Sequence, residues 1–139
     1  MSAETASALK GLAQVNIMAD DVRAARDWYT EFLGIEPYFQ RPDAEAPAYV
    51  EYRVGPREYE LGIIDRRYMP PSPAETPAGA IARWHVDDID ATVQRLLDLG
   101  ASPYEPVTPR EAGFITASVS DPFGNIIGLI HSPHFAATA

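Results

Sequence analysis

One segment of the chain recurs about 67 residues further on, and this internal repeat restricts the possible folds more than any other feature. Residues 15–22, VNIMADDV, align with residues 82–89, ARWHVDDI. Each copy continues into an amphipathic helical pattern that ends at a glycine, Gly34 in the first copy and Gly100 in the second. Glycine stops a helix because it enters the left-handed conformation without strain. The chain is therefore predicted to hold two copies of one structural unit.

Each copy predicts the element order βαβββ. An alternating strand, at about 13–18 and again at 81–86, leads to an aspartate pair whose oxygens cap the following helix. Three further segments in each copy have strand patterns, and the sequence DPFGN between the last two strands is typical of a turn. The predicted later strands are 36–39, 48–54 and 59–64 in the first copy and 101–105, 113–119 and 125–131 in the second.

The length of the chain fits one domain, so residues 1–139 are expected to form a single unit with a shared core. We place the first module at about 12–64, the second at about 80–132, and a connector at 65–79. Because proline blocks regular pairing and stiffens an extended loop, the connector is either a spacer or a lid over a site. The connector prolines are Pro70, Pro71, Pro73 and Pro77.

Charge and composition exclude several classes of partner. Eleven Lys and Arg against 20 Asp and Glu give a net charge of −9 and a pI near 4.6. Nucleic acid and anionic membrane surfaces attract basic proteins, so neither is an expected partner.

No apolar run approaches the roughly 20 residues that span a bilayer, and no secretory signal is expected. Since the chain has no cysteine, thiol chemistry is excluded, and we expect a cytoplasmic protein that handles a small molecule or a protein.

Four motifs identify a family resemblance: ADDVRAARDWYTEFLGIEP, YELGI, WHVDDIDATVQRLLDLGA and SVSDPFGNIIGLIH. Together they resemble the vicinal oxygen chelate superfamily, the group of glyoxalase, bleomycin-resistance and extradiol-dioxygenase proteins, over about residues 12–132. The resemblance implies an α+β fold in which two tandem βαβββ modules form a curled mixed sheet around a cavity. The helices would lie on the convex face, and the protein would be a homodimer.

Alternation along the strands places a mixed set of polar and aromatic side chains on the sheet face that does not meet the helices. If this face curls around a cavity, as the resemblance implies, it suits an organic ligand held by a few hydrogen bonds. The other interpretation is a sheet face exposed to solvent, which is common in antiparallel sheets. The residues of this face are Gln14, Asn16, Tyr49, Glu51, Arg53, Glu60, Arg83, His85, Phe114 and Thr116.

The resemblance also implies four positions for metal ligands, and only two of them carry donors here. The positions fall on Gln14, Glu60, Ile81 (or Ala80, with a one-residue slip) and Gly128. Catalytic zinc sites normally keep about three protein ligands, and other divalent metals also need imidazole or carboxylate donors. We therefore expect neither the family's metal nor any other cofactor.

Glu60 and His85 are the candidate catalytic residues, because a carboxylate and an imidazole can transfer protons. Each also has a structural interpretation: Glu60 as half of an ion pair with Arg53 or Arg83, and His85 as a hydrogen-bonded strand residue. The histidines of the tail HSPHF, treated as extended, are too few to hold a metal.

The favoured hypothesis is a glyoxalase- or bleomycin-resistance-like protein that binds a small cationic or neutral organic molecule without metal. The alternative is a divalent-metal-dependent lyase, isomerase or dioxygenase of the same superfamily. Such an enzyme would use Glu60 and His85 for proton transfer, or a metal held by these two with Gln14. A partner chain could complete that site, and a pure interaction module is the third hypothesis.

Overall fold

The computed structural model of the protein describes residues 12–68 and 81–138, so the connector prolines lie outside the described residues. In the first half it contains β1 (Gln14–Ala19), α1 (Val22–Leu33), β2 (Phe39–Arg41), β3 (Tyr49–Val54) and β4 (Tyr59–Asp65). In the second half it contains β5 (Arg83–His85), α2 (Ile89–Asp98), β6 (Ser102–Pro109), β7 (Ile115–Ser120), β8 (Ile126–His131) and α3 (Pro133–Thr138). No helix in these described ranges has the length and apolar character needed to cross a membrane.

The two halves have the same sheet topology, which confirms the predicted α+β fold of two βαβββ units. The first sheet has the strand order β1-β4-β3-β2 and the second has β5-β8-β7-β6. In both sheets the first strand pairs in parallel with the last, and the other pairs are antiparallel. The strands form two separate four-stranded mixed sheets rather than one hydrogen-bonded sheet.

Both main helices begin at the second aspartate of the predicted pairs. The Asp21 carboxylate accepts the backbone N–H of Ala24 at 3.0 Å, and that of Asp88 accepts the N–H of Ala91 at 3.0 Å. These bonds satisfy amide groups that have no partner inside the helix. Helix α1 ends at Gly34, whose φ of 71° lies in the left-handed region.

The core is built from alternate strand residues and from one face of each main helix. In the central strands most side chains of the helix-facing side are buried, but Glu51 and Ser118 of the opposite face are also only 8% and 1% exposed. Burial of these apolar groups is the main favourable term for folding. The buried strand residues are Val50, Tyr52, Leu61, Ile63, Ala117, Val119, Ile127 and Leu129, and those of the helices are Val22, Ala25, Tyr29, Ile89 and Leu96.

Four elements differ from the sequence prediction. Strand β5 is shorter than 81–86, β2 begins later than residue 36, and β6 continues to Pro109 through two register shifts. The tail is helical over α3, whereas we expected it to be extended. Ser132 explains this helix, because its hydroxyl accepts the N–H of Phe135 at 3.0 Å and Pro133 occupies the first helical position.

A hydrogen-bond network around the DPFGN turn joins the two halves. The Tyr29 hydroxyl donates to the Asp121 carboxylate at 2.6 Å. The Asn125 amide donates to the carbonyl of Met18 at 2.8 Å and accepts the Met18 N–H at 3.1 Å. Trp28 donates from its indole N–H to the carbonyl of Leu99 at 2.7 Å. These bonds fix β1 and α1 of the first half against the turn before β8 and the end of α2.

Candidate functional site

A cavity of about 850 Å³ lies between the two halves, and we call it the main cavity. Four residues predicted from the sequence line it: Gln14 and Glu60 from the first sheet, and Arg83 and His85 from the second. The indole of Trp84 adds an aromatic wall. The main cavity therefore brings together, on one surface, side chains that are far apart in the sequence.

A second cavity of about 440 Å³, the side cavity, adjoins the main cavity. Its polar side chains are Asn16, Tyr29, His85 and Asn125, and the rest of its wall is mostly aliphatic or aromatic. Because the two cavities have wall residues in common, they form neighbouring compartments of one site. The shared residues are Val15, Val54, Ala82, Trp84 and His85.

Five polar side chains of the first sheet form a polar cluster at the edge of the main cavity: Gln14, Asn16, Tyr49, Glu51 and Glu60. The Gln14 amide nitrogen lies 3.2 Å from the Tyr49 hydroxyl, 3.2 Å from a Glu51 oxygen and 3.3 Å from a Glu60 oxygen. Asn16 donates to the Gln14 carbonyl oxygen at 3.2 Å. Two carboxylates share few donors here, so the cluster has acceptor capacity left over.

Tyr49 is held as a neutral donor within the polar cluster. Its hydroxyl donates to a Glu51 oxygen at 2.5 Å, and the Glu51 residue is 8% exposed. Burial raises the pKa of Tyr49 well above its usual value, and the hydrogen bond to Glu51 and its negative charge raise it further. Tyr49 therefore stays protonated at neutral pH and is not a general base in this arrangement.

Glu60 forms neither of the predicted ion pairs, so that expectation is wrong. Arg53 lies opposite Glu60 in the β3–β4 register, but its guanidinium donates to the Tyr38 hydroxyl at 3.0 Å and lies 3.9 Å from the centre of that ring. Stacking on an aromatic ring suits the planar guanidinium and leaves it partly hydrated. Among the residues that the structure describes, Gln14 is the hydrogen-bond partner of the Glu60 side chain.

Arg83 forms an ion pair within its own sheet. Its guanidinium donates to a Glu105 oxygen at 3.0 Å and to the carbonyl of Ala117 at 3.1 Å. The Ser118 hydroxyl donates to the same Glu105 oxygen at 2.7 Å. The hydrogen bond from the Ser118 hydroxyl holds the pKa of Glu105 below its usual value, and the hydrogen bond from Arg83 lowers it further. The charge of Arg83 is therefore already neutralised.

The Glu105 interactions predict a pH-dependent stability. The folded-state pKa lies below the unfolded one, so their contribution is present above the unfolded pKa of about 4.3 and is lost as pH falls through the folded value. Glu105→Gln is expected to lower the thermal midpoint at pH 7 by a margin that shrinks below pH 4.5. Calorimetry from pH 7 to pH 3 measures this margin. Glu111→Gln is the matched control, and an equal pH trend in both variants would contradict the assignment.

His85 is packed as part of the cavity wall, with both ring nitrogens engaged. Its Nδ1 accepts the N–H of Ser132 at 3.1 Å, and its Nε2 lies 3.3 Å from an Asp87 oxygen. Phe135 stacks on the ring at 4.7 Å between centroids, and the side chain is 9% exposed. Ser132 and Phe135 also line the main cavity, and the sequence analysis did not predict either of them. The Ser-Pro pair that starts α3 is the sequence signal that could have located them.

Apart from Asn16, the other predicted site residues lie away from the walls of these two cavities. Tyr49 and Glu51 reach the main cavity only through Gln14, and Arg53 points to Tyr38. Phe114 and Thr116 line neither cavity, and the Thr116 hydroxyl accepts from Arg110 at 2.9 Å. Asn16 contributes to the side cavity.

The four positions that the resemblance assigns to metal ligands do not form a suitable donor set. Gln14 and Glu60 are in contact, but the Ile81 side chain has no donor atom, and the alternative position, Ala80, lies outside the described residues. At Gly128 a Cβ would lie 2.3 Å from the backbone oxygen of Ala82, so no longer side chain fits there without a backbone shift. Within residues 12–68 and 81–138, no three His, Asp or Glu side chains are grouped to hold a metal ion.

Comparison with known proteins gives one family match. The family described as the Glyoxalase/Bleomycin resistance protein/Dioxygenase superfamily matches residues 11–129, which is most of the chain. No curated protein sequence is significantly similar to the chain.

Several solved structures share the fold at low sequence identity. A lactoylglutathione lyase from Agrobacterium tumefaciens is 21% identical, with a TM-score of 0.65 over 91% of this chain and 96% of that one. A superfamily member from Sphaerobacter thermophilus is 21% identical, with a TM-score of 0.67 over 89% and 98%. A glyoxalase-related enzyme from Fulvimarina pelagi is 19% identical, with a TM-score of 0.67 over 90% of each chain. At these identities the similarity concerns the fold alone.

Proposed function

Because this chain belongs to the glyoxalase/bleomycin resistance protein/dioxygenase superfamily, we propose that it binds a small organic molecule in the main cavity without a divalent metal. One observation carries the metal-free part of the proposal. Of the four ligand positions, Ile81 offers no donor and Gly128 is closed by the Ala82 carbonyl. The remaining pair, one carboxylate and one amide, provides too few donors for a tightly held divalent ion.

The shape and lining of the main cavity support the binding of an organic molecule. Its volume of about 850 Å³ lies in the range of known ligand pockets. A few polar groups, Gln14, Glu60 and Arg83, are set among apolar and aromatic walls, as in sites that orient a ligand by a few hydrogen bonds. In this proposal Gln14 and Glu60 contact the polar part of the ligand.

His85 and Trp84 are proposed as wall residues that exclude water from the bound molecule. The stacked Phe135 ring and the bond from Ser132 hold the imidazole in one orientation, which supports a positioning role rather than proton transfer. Tyr49 and Glu51 support the site indirectly, since both contact the Gln14 amide and limit its orientations.

Metal content tests the proposal directly. Protein purified without a chelator is expected to contain far less than one nickel, zinc, iron or manganese ion per chain, as measured by elemental analysis. Adding these ions is expected to leave the thermal midpoint unchanged, because a ligand specific to the folded state would raise it. A partner chain in a homodimer could supply further donors, so both measurements use the assembled protein.

A stoichiometric ion that is lost in Gln14→Ala and Glu60→Gln would overturn the metal-free proposal and favour the metal-dependent lyase, isomerase or dioxygenase. Asp98→Asn, on the exposed face of α2, is the control for a general loss of acidic charge. A thermal-shift panel of amines, thioesters, aldehydes and aromatic heterocycles tests binding itself. If no compound of the panel raises the midpoint, the small-molecule proposal is contradicted.

A further inference from the structure

We infer that the ligand is an amphiphilic amine, with its ammonium group at Glu60 in the main cavity and its apolar chain in the side cavity. This inference rests on the proposed small-molecule function and specifies the chemical class of the ligand. Three features of the cavities support it. The wall of the side cavity is apolar, the side cavity is continuous with the main cavity, and the arginines of the main cavity have partners while Glu60 accepts only one hydrogen bond.

The side cavity is suited to an aliphatic or aromatic group. Side chains from α1, β1, β4, β5 and β8 meet there, and a void of this kind holds water poorly because it offers few hydrogen-bond partners. An apolar group that fills it gains the contacts that an empty cavity lacks. The central wall residues include Ile17, Phe32, Leu33, Leu61, Val86 and Leu129.

The two cavities are continuous enough for one molecule to occupy both. Val15 and Val54 of the first half, and Ala82 and Trp84 of the second, belong to both walls. The main cavity holds the carboxylate and arginine side chains, whereas the side cavity holds no charged side chain apart from the titratable His85. A ligand that spans the shared wall would therefore meet a polar region at one end and an apolar region at the other.

The charged groups of the main cavity favour a cationic head. Its two arginines are already engaged: Arg83 pairs with Glu105 at 3.0 Å, and Arg57 donates to the carbonyl of Thr138. Glu60 receives one hydrogen bond, from Gln14 at 3.3 Å, and no basic side chain of the described residues lies within 4.0 Å of it. Acceptor capacity thus remains at Glu60, whereas the charge of Arg83 is compensated by Glu105 and the Arg57 guanidinium is held by a backbone carbonyl. The net charge of −9 also attracts cations.

A homologous series of n-alkylamines tests this inference by calorimetric titration at pH 7. Affinity is expected to rise about fourfold for each methylene from butylamine to octylamine, the increment for burying one methylene. Octanoate, with a carboxylate head on a chain of similar length, is expected to bind at least tenfold more weakly than octylamine. Trp84 lies in both walls, so its fluorescence gives a second signal of occupancy.

Two variants separate the head from the chain. Glu60→Gln is expected to weaken every amine about tenfold or more while keeping the increment per methylene, because a charge-assisted bond is lost. Ile17→Phe fills part of the side cavity and is expected to remove the rise in affinity with chain length beyond butylamine. Ile35→Phe is the matched control, since Ile35 lines neither cavity and is 36% exposed. If Ile17→Phe does not fold, Leu33→Phe makes the same test from α1.

The outcomes distinguish this inference from the broader proposal. If other organic compounds bind but amine affinity is independent of chain length, the amphiphile inference is wrong and small-molecule binding stands. Octanoate binding as tightly as octylamine would contradict the assignment of Glu60 to a cationic head. If neither the amines nor any compound of the thermal-shift panel binds, both proposals fail.

Discussion

Replacing Gly128 with alanine is expected to lower the free energy of unfolding by about 3 kcal/mol, at the upper end of the cost of overpacking a core. The new Cβ would lie 2.3 Å from the Ala82 backbone oxygen, 2.9 Å from Ile81 Cγ2 and 3.1 Å from Arg83 Cγ. Gly128 is paired on both sides, with β5 and with Ser118 of β7, so β8 cannot move away without losing ladder bonds. Denaturant unfolding of the purified variant measures the loss.

Gly128→Glu extends the same test to the metal question. It restores the residue type that the family resemblance requires at this position, but we expect loss of cooperative unfolding and no gain in metal affinity. Gly62→Ala is the comparison, because its Cβ would meet movable side-chain atoms of Asn16 and Tyr49 rather than backbone. A Gly128→Glu variant that folds with near-native stability and binds a divalent ion through Glu60 would show that the position is open.

The order of the elements was predictable because the repeat carries the same physical signals twice. The aspartate caps and the glycine stop at Gly34 follow from local hydrogen bonding and backbone sterics, so they can be read without tertiary structure. Strand alternation likewise predicts the buried face, because one side of each sheet must meet the helices.

The limits of the prediction lie where local signals are weak or ambiguous. The register shifts of β6 on either side of Glu105 depend on its pairing with β7, which no local pattern specifies. The helix α3 was missed because the tail was treated as extended and the Ser132-Pro133 pair was not considered as a helix start. The helix α3 has a local cause, the Ser132 cap, whereas the register shifts of β6 are set by its partner strand.

Part of the candidate site follows from register and part does not. Strand alternation placed Gln14 and Glu60 on one sheet face, and the parallel β1–β4 ladder, in which they are Cα partners, brings them together. The partners of Arg53 and Arg83 could not be predicted this way. A long side chain reaches several acceptors from one backbone position, and Tyr38 and Glu105 lie on strands or loops whose packing is set by the whole fold.

Replacing Asp121 with alanine is expected to lower the free energy of unfolding by about 4 kcal/mol, because it leaves one buried and three part-buried donors without their partner. The carboxylate is part of a residue that is 4% exposed. It accepts the Tyr29 hydroxyl at 2.6 Å, the Phe123 N–H at 2.9 Å, and the Asn125 N–H at 2.7 Å and amide at 2.9 Å. Guanidinium chloride unfolding followed by far-UV circular dichroism measures the change.

Asp121→Ala is also expected to disturb the cavities, because the Asn125 amide that loses this carboxylate donates to the Met18 carbonyl of β1 at 2.8 Å.

Tyr29→Phe removes one of the donors to Asp121 and leaves the carboxylate in place. It is expected to lower the free energy of unfolding by about 1 kcal/mol. Because the Tyr29 hydroxyl is already unpaired once Asp121 is replaced, the double variant is expected to lose less than the sum of the single losses. Asp90→Ala is the matched control, since Asp90 lies on the exposed face of α2. An Asp121→Ala loss no larger than that control would show that the turn does not hold the two halves together.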